Sequence, residues 1–156
     1  MFASVESTYT DLVTSVFSAP IAFKAWFASA ALFLGVVQVA TGARIFGKLR
    51  SVVPVAPPRV NGVHRWSGRL AILSTLPVAF HCIFILGFQT TDARVLAHSL
   101  IGSFIYGVFV VKVWFVRDRN HPRWVVPIVG GTLFTVLVAL WSTSSLWYFT
   151  QVRFGF

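Results

Sequence analysis

The chain has 156 residues, 56% hydrophobic and 11% charged, with 13 Lys+Arg against 4 Asp+Glu. A water-soluble domain carries about 25% charged residues, so this composition excludes a disordered chain and a soluble globule. A single cysteine, Cys82, excludes a disulfide framework, a thiolate zinc site and the C-x-x-C-H attachment of covalent haem.

In chain order, the first twenty residues carry two acids, Glu6 and Asp11, and no base. A secretory signal needs a positive n-region, so none is expected here. Four apolar segments follow, at about 21–41, 66–88, 95–116 and 125–149. Each is long enough to cross ~30 Å of hydrocarbon. The predicted fold is therefore all-α: one integral membrane four-helix bundle, up-down-up-down, in contact with membrane lipid. Lys24, Arg69 and Lys112 fall near the ends of their spans, where a long stem reaches the interface. Residues 51–61 (SVVPVAPPRVN) read as an extended, proline-rich linker.

The basic residues flank the apolar runs instead of forming a stripe with aromatics, so they predict orientation and not nucleic-acid binding. Arg44, Lys48, Arg50, Arg59 and Arg65 lie between the first two spans; Arg117, Arg119 and Arg123 lie between the last two. The positive-inside rule puts both loops in the cytoplasm and both termini outside. The expected location is a plasma membrane. The excess of Arg over Lys, ten to three, fits a bacterial source.

All four histidines, His64, His81, His98 and His121, belong to the second and third spans or their ends. Ionisable groups at membrane depth are costly and mark function. Measured from the turn near Thr90, His81 and His98 differ in depth by only ~3 Å at ~1.5 Å per residue. His64 and His121 both fall at the cytoplasmic boundary, with Pro122 disfavouring a helical His121. Two imidazoles at matched depth on facing helices are the arrangement that grips haem iron axially. Two pairs at two depths predict two b-type haems and an electron path across the bilayer. His64 and His98 are each followed four residues later by a glycine, Gly68 and Gly102, on the same helix face; these would clear room for a flat macrocycle. Arg65 and Arg69 near the inner pair, and Arg94 near the outer one, are candidate partners for propionates. The 17-residue spacing of His64 and His81 leaves them about 100° apart on a straight helix, which strains the inner site more than the outer.

Other readings of these residues stay open. Boundary histidines bond to carbonyls or water, and small residues are enriched wherever membrane helices touch. On that basis the chain is a non-redox membrane subunit or scaffold. A histidine-lined proton or metal conduit is a third reading.

The segment Leu96-Ala-His98-Ser-Leu-Ile-Gly102 resembles a signature of the ascorbate-reducible transmembrane cytochromes b. Two histidines on each of two helices resemble the layout of ferric-reductase-like membrane cytochromes. The run His64-Arg-Trp-Ser-Gly-Arg69 followed by His81-Cys82 is also similar to small four-helix bacterial membrane proteins without an assigned activity. The first two resemblances imply haem b, bis-histidine ligation and transmembrane electron transfer. The donor would be quinol or a cytoplasmic reductant, and the acceptor an external redox partner protein. No dinucleotide or phosphate-loop fingerprint is present, so nicotinamide or flavin chemistry would belong to a partner.

Overall fold

A computed structural model describes residues 2–48, 51, 57–118 and 120–151, without the side chains of 2–6 and 57. Arg50, Arg119 and Arg153, part of the charge pattern, lie outside the described residues. The described residues form α1 (Phe2–Thr14), α2 (Pro20–Ile45), α3 (Pro57–Phe80), α4 (Ala93–Arg117), α5 (Val125–Trp141) and α6 (Trp147–Gln151). Two π-helical segments interrupt this α-helical order. His81–Leu86 prolongs α3, and Ser142–Leu146 joins α5 to α6.

Four continuous helical stretches are long and apolar enough to cross a membrane: Pro20–Ile45, Pro58–Leu86, Ala93–Arg117 and Val125–Gln151. The protein is accordingly a multi-pass, all-α membrane protein. Phe33, Trp66, Leu73, Phe104, Trp114 and Trp124 all lie exposed on its surface, as lipid-facing residues do when the solvent is hydrocarbon.

Local chemistry explains the helix ends. Pro20 opens α2 behind an extended Ala19, a position where its missing N–H costs nothing. Asp92 caps α4, its side chain accepting from the Val95 amide at 2.9 Å. Gly87, at φ +68, ends the first π segment in a left-handed conformation that favours glycine.

The start of α3 differs from expectation. The span was expected from about residue 66, behind an extended linker reaching Asn61. Instead Pro57 and Pro58 begin the helix, because proline is tolerated in a first turn, where no intrahelical N–H bond is lost. His64 is thereby lifted from a loop boundary into a regular helix.

Both π segments have identifiable causes. Pro77 removes a backbone donor from α3, and the widened turn follows four residues later. In Ser142–Leu146 the Thr143 and Ser144 hydroxyls donate to the carbonyls of Ala139 and Leu140. They compete with the backbone amides for those acceptors.

Close packing runs from α3 to α2, from α2 to α5 and from α5 to α4. Gly35 brings α2 and α5 together: a Cβ there would meet Leu137 Cδ2 at 3.0 Å. α3 and α4, the expected hairpin pair, are only loosely packed against each other. Tyr106 of α4 bridges them by donating to Thr75 of α3 at 3.1 Å. The opening between them is the site considered next.

Candidate cofactor cavity

A cavity of about 650 Å³ lies between α3 and α4, with α2 and the second π segment completing its walls. That size falls in the range of small-molecule and cofactor sites. Most of the wall is aliphatic or aromatic. Its polar groups are fewer and include Lys24, Thr75, Cys82, Arg94, His98, Tyr106 and the hydroxyls of Ser99, Ser103 and residues 143–145. No carboxylate lines it among the described residues. Both π segments contribute wall residues, Cys82 and Ile83 from one, Thr143 and Ser145 from the other. Such bulges are frequent at functional sites.

His98 stands on this wall. Its Nδ1 lies 2.9 Å from Thr143 Oγ1. The Thr143 hydroxyl hydrogen is already committed to the carbonyls of Ala139 and Leu140, at 2.9 and 3.1 Å. With its hydroxyl turned to those carbonyls, Thr143 accepts from the ring, which places the His98 proton on Nδ1 and the lone pair on Nε2; the Leu140 carbonyl is a further hydrogen-bond partner of the ring. A histidine that ligates a metal shows this outer contact, which fixes tautomer and ring direction. Gly102 shares the wall one turn further on, where a Cβ would approach Leu140 Cδ2 at 3.7 Å. Arg94 is anchored nearby. It donates to the Thr143 carbonyl at 2.7 Å, approaches Asp92 at 3.8 Å and covers the Trp147 ring at 4.6 Å.

His64 repeats the tie in the other half of the bundle. Its Nδ1 is 2.9 Å from Thr41 Oγ1, and that hydroxyl donates to Val37 at 2.6 Å. Its surroundings are helix packing, however. Gln38 donates from Nε2 to the His64 carbonyl and, at 2.8 Å, to Ser67 Oγ. Gln38 also fills the space beside Gly68, where a Cβ would meet its amide at 3.0–3.2 Å. The glycine expected to admit a macrocycle instead admits a glutamine from α2.

The remaining candidates depart further from expectation. His81 is buried and does not line the cavity; its ring packs on Tyr9 of α1, with centroids 5.2 Å apart. Its Nδ1 is buried without a hydrogen-bond partner. His121 is held in the loop after α4, both nitrogens donating to carbonyls: Nδ1 to Pro122 at 3.1 Å and Nε2 to Phe115. Those carbonyls, Pro122 first, raise its pKa above the ordinary value. While the ring is protonated both nitrogens are used by these carbonyls, so His121 then offers no lone pair to the expected inner pair with His64. No group of three or more His, Cys, Asp or Glu gathers among the described residues. Arg65 and Arg69 are exposed, with Arg69 over the Trp66 ring at 5.1 Å.

Several residues of the site escaped the sequence reading. Thr41 and Thr143 sit on helices without histidines, and nothing in their spacing marks them as imidazole partners. Lys24, expected to reach the interface, lines the cavity instead. Trp141 also lines the cavity and donates to Ser29 of α2 at 2.9 Å.

A family model described as a family of unknown function, DUF6529, matches residues 1–156. The chain belongs to DUF6529. No curated protein and no solved structure matches this DUF6529 member. Its function must therefore be reasoned from the cavity.

Proposed function

We propose that this protein is a b-type membrane cytochrome, its haem to be held in the cavity between α3 and α4 with His98 as a ligand. The observation that carries the reading is the pairing of His98 Nδ1 with Thr143 Oγ1 at 2.9 Å on the wall of a cofactor-sized cavity, which leaves Nε2 as the nitrogen to ligate. The residues fit the group in three further ways. Gly102 keeps the wall low beside His98, the lining is largely apolar, and Arg94 supplies a cation for a propionate. His81 is the second ligand of the proposal. Its Nδ1 lacks a partner, and ligation requires its ring to leave Tyr9.

A bound haem would supply one-electron redox chemistry. The chain's own residues bind it, exclude water with aliphatic walls and hold the His98 proton on Nδ1. Electrons come from quinol in the membrane or from a cytoplasmic donor and go to an extracytoplasmic redox partner. The membrane is a bacterial plasma membrane, with both basic loops inside and both termini outside. One haem per chain is proposed, because the nitrogens of His121 are already engaged.

A second reading, a non-redox membrane subunit, draws on the packing of Gln38 against Gly68 and of Tyr9 against His81. A visible spectrum of the purified full chain separates the two. A Soret band with sharp reduced α-bands is expected of the cytochrome; a colourless protein after haem supplementation would support the scaffold.

A further inference from the structure

Lys24 lies only four residues inside α2, close enough to a helix end for its stem to reach the interface. It is half-buried and lines the cavity. No hydrogen bond or ion pair engages its ammonium among the described residues. Lys24 shares the cavity wall with Cys82 and His98. The other cation on the wall, Arg94, has Asp92 beside it at 3.8 Å. Among the described residues no acid lines the cavity to answer Lys24.

An unpaired ammonium inside a membrane bundle is costly. A carboxylate brought by the cavity's occupant would supply the missing countercharge. We propose that Lys24 is the anion anchor of this cavity, binding a carboxylate of an amphiphilic occupant whose apolar body fills the space between α3 and α4. Within the cytochrome reading, on which its most specific form rests, that carboxylate is a haem propionate, and Arg94 takes the other. The same chemistry would hold the head of a fatty acid.

Titration of the full chain in nanodiscs, produced under haem limitation, tests this with three probes: haem, haem dimethyl ester and a fluorescent fatty acid. Lys24→Met should weaken haem binding about tenfold or more, the value of a charged hydrogen bond, and Lys24→Arg should restore most of it. The dimethyl ester should bind the wild type more weakly and lose nothing further in Lys24→Met. If haem and its ester bind wild type and Lys24→Met alike, the anchor is wrong while the cytochrome reading stands. If haem fails to bind but the fatty acid binds and depends on Lys24, the anchor stands and the cytochrome reading falls. Binding of none of the probes, by a wild-type chain that is folded by circular dichroism, overturns the anchor.

Discussion

Thr143 and His98 show how one hydroxyl decides what an imidazole can do. With the hydroxyl hydrogen turned to the backbone, the ring donates to Thr143 and its far nitrogen keeps the lone pair. Thr143→Val keeps the shape and removes the acceptor. Haem affinity should fall ten- to a hundredfold, as for other outer-shell partners of ligating histidines, measured by haem titration. His121 is the opposite case, a ring whose two N–H groups are both used by the loop. With a folded pKa above its ordinary value, its contribution to loop order is full at low pH and fades as pH rises through the raised value. Amide exchange over residues 120–124 should therefore quicken above that point. His121→Ala should remove the pH dependence without changing the visible spectrum. The four histidines were legible as the informative residues, but their fates were not. A histidine's role depends on what faces its nitrogens, and those partners, Thr41, Thr143, Tyr9 and the Phe115 carbonyl, are distant in sequence or belong to the backbone.

At the scale of elements, four spans were readable because apolar runs of this length have few other uses. Pairing was not. A tight turn joins α3 to α4, yet α2 is the helix against which α3 packs, since Gly68 lets Gln38 approach. Gly68→Ala should force the Gln38 amide to shift and cost about 1 kcal/mol or more, as over-packing does. Reversible unfolding in detergent should show the loss, with haem content per folded chain unchanged. An unchanged stability would mean that the α2–α3 contact is looser than the 3.0 Å approach implies. The π segments were equally hidden. Pro77 signalled a disturbance of α3, but the Ser and Thr residues at 142–145 read as ordinary small residues. Only their back-bonding to Ala139 and Leu140 explains the bulge.

For the whole molecule, the bundle has one well-packed path, α3–α2–α5–α4, and one open side. Haem bound there would tie α3 to α4 and close the ring of helices. Orientation follows from charge: Lys48 beyond α2 should react from the cytoplasmic side as Lys48→Cys, and Thr90 in the α3–α4 turn from outside as Thr90→Cys. The reverse labelling would invert the proposed direction of electron flow. If His98 holds a single haem in the open side, a pyridine haemochrome assay on purified wild type, His98→Ala and His64→Ala should give about one haem per chain in the wild type and in His64→Ala, and almost none in His98→Ala. Full haem content in His98→Ala, or none in the wild type, would contradict that ligation.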